Sequence, residues 1–137
     1  RGWRVKRTNY CESAGICNRK SGTVFGGSRK DIPQLWNAMD VFVFPSLFEG
    51  LPLVALEAQA SGVYSVMADT ISKEVKITDA VTFLPLAHNE KEWKECILEP
   101  GDAGRTEVQN TIIKEQFQGA GYDIMTAGKQ LLEYYKK

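Results

Sequence analysis

The sequence predicts the α/β fold class, a Rossmann-like parallel sheet with flanking helices. Three observations carry that expectation. Val41-Phe42-Val43-Phe44 is a short β-branched and aromatic run, apolar on both faces, as expected of a central strand in a parallel sheet covered by helices. Beyond it, Pro45 cannot donate to a sheet ladder, a loop runs from Ser46 to Leu51, and Pro52 sits as the first residue of a helix that runs on from Leu53 to Ala60. Strand-like and helix-like stretches alternate as far as Pro85, and helical periods take over from Asn89.

Taken in order, the chain begins with a segment unlike the rest. Residues 1–22 set Arg1, Arg4, Lys6, Arg7, Arg19 and Lys20 against a single acid, Glu12, with neither a helical nor a strand period. A disordered segment and a basic arm for nucleic acid are two readings of it. Thr23-Val24-Phe25-Gly26 reads as a short strand, and Gly26-Gly27 permits a tight turn. Asp31 suits a helix N-cap with Pro33 in the first turn, and Leu35, Trp36 and Met39 give that helix its apolar face. In the loop after the central strand, Gly50 is free to take positive φ. The helix from Leu53 should stop near Ser61-Gly62.

Val63 to Met67 reads as the next strand, Asp69 to Lys76 as a loop with a short helix, and Val81 to Leu84 as a further strand closed by Pro85. Trp93, Cys96 and Ile97, at i, i+3 and i+4, mark a helix that Pro100-Gly101 breaks. A second helix is expected from Thr106 to Phe117 with Val108, Ile112 and Phe117 on one side. Asp123 can cap a last helix whose stripe is Ile124, Leu131, Leu132 and Tyr135. Trp36, Trp93, Tyr134 and Tyr135 are expected to pack in the core or between domains.

Composition narrows the function. The chain has 137 residues, one domain at most, and is long enough to bury a real core. Its 17 Lys and Arg balance 17 Asp and Glu, so bulk charge points to neither nucleic acid nor a membrane surface. No run approaches the roughly 18–20 apolar residues of a membrane span, and no secretory leader pattern is visible. Cys11, Cys17 and Cys96 lack metal-type spacing and read as reduced thiols of a cytoplasmic protein. His88 stands alone and reads as a loop histidine without a role. No metal site is expected.

The chemistry concentrates at the strand-to-helix corner. Ligands of open parallel sheets collect beyond the carboxyl ends of the strands. The free N–H groups at the start of the Leu53–Ala60 helix, with the positive end of its dipole, suit phosphate oxygens. Glu49 stands at the mouth of the loop. Glu57 lies among Leu53, Val54, Ala58 and Ala60, which leave no obvious wet face, and a carboxylate there needs a partner. Two carboxylates around an anion-binding helix start suit a ligand with phosphates at one point and hydroxyls on both sides, as in a nucleotide sugar. The plain alternative is an ordinary βα corner with Glu49 solvated and Glu57 on the surface.

These residues carry a resemblance. Glu49-Gly50-Leu51-Pro52 with Glu57 matches the Glu-x7-Glu signature of retaining glycosyltransferases of the GT-B architecture. The longer string Arg29-Lys30-Asp31-Ile32-Pro33, then Asp40-Val41-Phe42-Val43-Phe44-Pro45-Ser46, resembles glycosyltransferase family 4. Ser72-Lys73-Glu74-Val75-Lys76-Ile77-Thr78-Asp79 and Gly121-Tyr122-Asp123-Ile124 look like the subgroup that builds bacterial exopolysaccharide and capsule. The likeness covers about Thr23 to the end. It implies that residues 23–137 are part of the C-terminal, nucleotide-sugar-binding half of a GT-B fold.

The resemblance assigns roles residue by residue. Glu49 would contact the hydroxyls of the transferred sugar near the reacting carbon, and Glu57 would accept the ribose hydroxyls. Gly50, Leu51, Leu53 and Val54 would offer backbone N–H groups to the diphosphate, and Gly26, Gly27, Ser28 and Arg29 would lie beside the base. Glu74 aligns with an acidic position and is left unassigned. The family expects proline where this chain has Tyr64, which bears on local strand packing.

Domains of this family also carry a strand, Gly-Asp-Gly and a helix before the position of Thr23, a pattern missing here. Read one base out of frame, suitable codons for Arg1-Gly2-Trp3-Arg4-Val5 give Gly-Asp-Gly-Glu-Leu, so residues 1–22 are also readable as a frameshifted copy of that loop and helix. The basic pair that binds the donor diphosphate, and the N-terminal domain that binds the acceptor, belong upstream in the family.

The implied partners are a nucleotide-sugar donor, UDP-linked by preference, and a saccharide or lipid-linked acceptor reached through that N-terminal domain. Nucleic acid is not expected. Membrane association would be peripheral at most, at the inner face. No cofactor is expected, the isolated chain should be inactive as a transferase, and a non-catalytic nucleotide-sugar module or partner-dependent subunit is the alternative.

Overall fold

The computed structural model describes residues 28–87, 90–98 and 106–136. The chain divides into two units, Arg1–Ala38 and Met39–Lys137. The expectations for residues 1–22, for the strand at Thr23–Gly26, for Gly26 and Gly27, for His88 and for the Pro100-Gly101 break lie outside the described residues.

In the first unit, helix α1 spans Ile32–Ala38 and buries Trp36. Asp31 stands just before it, and its carbonyl accepts the N–H of Leu35 at 3.1 Å. Its carboxylate receives Arg29 through two bonds, Nε to Oδ1 at 2.8 Å and Nη2 to Oδ2 at 2.5 Å. Met39, expected on the apolar face of this helix, lies past its last residue.

The second unit holds a three-stranded parallel sheet in the order β1-β2-β3, with β1 at Val41–Phe44, β2 at Tyr64–Ala68 and β3 at Val81–Leu84. Val43 faces Val66 across the first ladder, and Met67 faces Phe83 across the second. Parallel neighbours need crossovers. Helix α2, Leu53–Ala60, makes the first. The second carries a single 3₁₀ turn, Lys73–Val75, opened by the Ser72 hydroxyl, which accepts the N–H of Glu74 at 3.4 Å.

The expectation that Val41–Phe44 is a central strand involves the strand expected at Thr23–Gly26, which lies outside the described residues. Among the described residues β2 is the middle strand, and β1 stands at one side with Val43 exposed. A run apolar on both faces shows that a strand meets other layers; it does not show which neighbours it pairs with. β2, whose Ser65 to Ala68 are all buried, is the strand with a ladder on each side.

The core forms where α2 meets β2. Ala55, Leu56, Met67, Ala68, Ile71, Val75 and Val81 make one buried cluster, with Phe42, Phe44, Phe83, Trp93 and Phe117 packed around it. Ala55 and Ala58 on the buried face of α2 let the helix backbone lie close to the sheet. The helix ends as the sequence predicts. Gly62, at φ 67°, donates to the Gln59 carbonyl at 2.9 Å, and Val63 donates to the Ala58 carbonyl at 3.0 Å. These are the two bonds of a Schellman termination, which glycine allows without a Cβ clash. Tyr64, where proline was expected, spans to β3: its hydroxyl and that of Thr82 share a hydrogen bond at 2.6 Å.

Three more helices follow. Helix α3, Glu90–Leu98, turns Trp93, Cys96 and Ile97 inward as their spacing predicts, and the Trp93 indole N–H donates to the Pro85 carbonyl at 2.9 Å. Helix α4, Glu107–Gly119, opens with a capping box between Thr106 and Gln109. Its predicted stripe is wrong in part. Val108 and Ile112 are exposed, while Gln109, Ile113, Gln116 and Phe117 are partly buried. Val108 to Phe117 steps by four and then five residues and drifts off one face; Ile113 to Phe117 holds the helical spacing.

Helix α5, Ile124–Tyr135, is capped by Asp123, whose carboxylate accepts the Thr126 hydroxyl at 2.7 Å and the Thr126 N–H at 2.8 Å. Those bonds, the hydroxyl's first, hold the Asp123 carboxyl below its usual pKa. Ile124, Leu131, Leu132, Tyr134 and Tyr135 are exposed, so the two tyrosines are not core residues among the described part of the chain.

Candidate functional site at the first strand-to-helix corner

β1 ends at Phe44, and the loop from Pro45 to Pro52 carries the chain to α2. The sequence places Pro52 as the first helical residue. The structure sets it one position earlier, as the N-cap, because its ψ of 106° is extended; it contributes no side-chain cap bond. Its carbonyl accepts the N–H of Ala55 at 3.0 Å. The amides of Leu53 and Val54 therefore open the helix, and no acceptor among the described residues takes them. With the dipole of α2 behind them, they form a donor pair suited to an anion.

Glu49 lies half-buried before that pair. The Ser46 hydroxyl donates to its Oε1 at 2.8 Å. The loop is tied to the next strand end as well: the Thr70 hydroxyl, just beyond β2, donates to the Ser46 carbonyl at 2.9 Å. The carboxyl ends of β1 and β2 are thus fastened together on the side where Glu49 and the start of α2 lie.

Two expectations about this corner change. Gly50 does not take positive φ; among the described glycines only Gly62 and Gly121 do. A Cβ at Gly50 would meet open space, so what glycine leaves here is room on the surface. Glu57 is not enclosed by apolar neighbours. α2 buries Ala55, Leu56, Ala58 and Gln59 and exposes Leu53, Val54, Glu57 and Ala60. The helix does have a wet face, and aliphatic residues occupy part of it, with Leu53 at 66% exposure. Leu47, Phe48 and Leu51 are exposed too, so the loop that carries Glu49 presents apolar side chains on its surface.

The corner therefore brings together Glu49, Gly50, Leu51, Leu53, Val54 and Glu57 on one loop and helix start. Ser28 and Arg29 belong to the first unit, where Arg29 is engaged by Asp31 rather than merely solvated. Glu74 is exposed in the second crossover. Among the described residues no set of three or more His, Cys, Asp or Glu is arranged to hold a metal ion, and no helix is long and apolar enough to cross a membrane.

Sequence reasoning missed Gln59. It is fully buried, and its side chain makes five hydrogen bonds. Nε2 donates to the carbonyls of Ala55 at 3.0 Å and Val75 at 2.8 Å, while Oε1 accepts the N–H of Ile77 at 2.9 Å and the N–H and hydroxyl of Thr78 at 3.0 and 3.4 Å. One side chain thus replaces the regular structure that the second crossover lacks. The available signal was a lone amide among alanines on the buried stripe of α2.

Compared with known families, residues 5–99 match the model described as glycosyl transferases group 1. The chain belongs to that family. Among curated relatives, this group 1 chain is 38% identical over 125 residues to "Putative glycosyltransferase EpsF" of Bacillus subtilis (strain 168), a match covering 90% of this chain and 32% of that protein. It is 46% identical over 52 residues to the UDP-Gal:alpha-D-GlcNAc-diphosphoundecaprenol alpha-1,3-galactosyltransferase of Escherichia coli, covering 38% of this chain and 13% of that enzyme. The chain thus spans about a third or less of the length of either. No solved structure matches it significantly. The resemblance to glycosyltransferases and the parallel α/β architecture both hold for this member of group 1.

Proposed function

We propose that this chain supplies the donor-nucleotide site of a retaining GT-B glycosyltransferase. The enzyme would move a hexose from a nucleotide diphosphate, UDP by preference, to a saccharide or lipid-linked acceptor in exopolysaccharide synthesis. The observation that carries the reading is the pair of amides at Leu53 and Val54, without acceptors among the described residues, beside the half-buried Glu49. The names of the two relatives, one of them a UDP-galactose-dependent transferase to a diphosphoundecaprenol-linked sugar, support the substrate class.

In the reaction the bond between the sugar's anomeric carbon and the β-phosphate oxygen breaks. A new bond forms from that carbon to an acceptor hydroxyl oxygen, and the hydroxyl proton passes to the departing diphosphate, which has taken the electron pair of the broken bond. Charge grows on the β-phosphate as the bond breaks. N–H groups already aimed at it lower the barrier more than they would in water, because they need no reorganisation. Glu49 would hold hydroxyls of the sugar near the reacting carbon, and Glu57 would hold the ribose.

The acceptor would be brought by the part of such an enzyme that the matched stretch of the relatives does not include. Joining donor to acceptor in a cleft supplies much of the rate. The isolated chain should therefore bind nucleotide weakly and transfer nothing, at the inner face of the membrane or in the cytoplasm. The test is a titration of the chain with UDP, followed through the backbone amides of residues 50–57. Localised shifts there support the reading, and their absence at millimolar UDP refutes it.

A further inference from the structure

The loop from Pro45 to Leu51 has little packing to hold it. Pro45, Leu47, Phe48, Gly50 and Leu51 are all exposed, Leu47 and Phe48 at 79% and 85%. Glu49 nevertheless needs a fixed direction if it is to meet one sugar hydroxyl and not another. Hydrogen bonds supply it. A hydroxyl has one proton, and Ser46 Oγ lies 2.8 Å from Glu49 Oε1 and 3.4 Å from the Phe48 carbonyl, so the proton goes to the carboxylate. Oε2 accepts nothing among the described residues and stays available. Ser46 is itself held through its carbonyl by Thr70, which comes from beyond a different strand, 24 residues along the chain.

We propose that Thr70 and Ser46 are positioning residues for Glu49. The Thr70 hydroxyl fixes the loop at the Ser46 carbonyl, and the Ser46 hydroxyl fixes one oxygen of the carboxylate while presenting the other to the donor sugar. The proposal rests on the reading of Glu49 as the group that meets that sugar. It makes the second strand end part of the sugar site without touching the ligand. Neither residue is assigned to the diphosphate, which in this chain falls to the backbone amides of the corner, those of Leu53 and Val54 first.

That division gives the test. The labelled chain is titrated with UDP and with UDP-galactose, and the ratio of the two dissociation constants measures what the sugar adds. In the unaltered chain UDP-galactose should bind more tightly than UDP. Thr70→Val, which keeps the shape and removes the hydroxyl, should reduce that advantage about three- to tenfold, the worth of one hydrogen bond, with UDP affinity unchanged. Ser46→Ala should do the same, and Thr70→Ser, which keeps the hydroxyl, should restore the ratio. An unchanged ratio in Thr70→Val and Ser46→Ala overturns the proposal and leaves the donor site standing. Equal weakening of both ligands shows a merely structural role and also overturns it. If the unaltered chain binds neither ligand, the donor-site reading falls and the proposal with it.

Discussion

Gln59 and Thr78 are joined twice: the backbone N–H of Thr78 donates to Gln59 Oε1 at 3.0 Å, and the Thr78 hydroxyl reaches the same oxygen at 3.4 Å. With Val75 and Ile77 also on the Gln59 amide, the crossover from β2 to β3 is pinned to the helix that begins at the candidate site. No buried side-chain polar atom among the described residues lacks a partner, both atoms of this amide included.

Gln59→Leu keeps the volume and removes every one of those bonds. The Ile77 and Thr78 amides and the Val75 carbonyl would then lose their partner. Each buried group left unsatisfied costs about 1–3 kcal/mol, so a loss of about 3 kcal/mol or more is expected. Urea denaturation measures it. A loss below about 1 kcal/mol would mean that the crossover finds other partners.

Gly62 sits at φ 67° between α2 and β2. Gly62→Ala should destabilise the chain by about 1–2 kcal/mol, because a Cβ in the left-handed region crowds the following carbonyl. Gly50→Ala should be close to neutral by comparison, since its φ is not positive and a Cβ there meets open space. Thermal melts of the two variants, run side by side, check the contrast.

Asp123 makes the last helix sensitive to acid. Its carboxyl is held below the ordinary value of 3.8 by the Thr126 hydroxyl first and the Thr126 N–H second. A carboxyl depressed in the folded state stabilises above its unfolded pKa, and that contribution disappears as pH falls through the folded one. The protection of the α5 amides, meaning their exchange relative to the intrinsic rate at each pH, should therefore be flat from neutral pH down to about the ordinary carboxyl value of 3.8 and fall below it. Asp123→Asn, which still caps but does not titrate, should abolish that acid limb while retaining helix protection at neutral pH.

Glu49 and Glu57 should separate by ligand. Glu49→Gln removes a charged acceptor for the sugar and should weaken UDP-galactose about tenfold or more relative to UDP. Glu57→Gln faces the ribose in this account and should weaken both ligands by the same factor. Titration of each variant with the two ligands distinguishes the roles, and a reversed pattern would exchange them.

The sequence made legible what backbone chemistry decides locally. Pro45 and Pro85 end strands, Gly62 ends α2, and Thr106 and Asp123 open helices through their own side chains. It left obscure what depends on the partner layer. Apolar neighbours of Glu57 suggested enclosure, but Leu53 and Val54 share its exposed face, so residue type misjudged the direction of burial. The same ambiguity misplaced Val108 and Ile112. Gln59 was overlooked because a glutamine is ordinarily exposed, and only the irregular crossover it satisfies reveals its use. At the site, Glu49, the α2 start and Glu57 were legible as one motif, whereas Thr70 was not, since nothing local links it to Ser46.

The most direct test of the central claim is a crystal of the chain soaked with UDP-galactose. The account predicts diphosphate oxygens within hydrogen-bond reach of the Leu53 and Val54 amides, with Glu49 turned to the sugar and Glu57 to the ribose. A corner left empty at saturating ligand, or nucleotide bound with both carboxylates directed into bulk water, would contradict it.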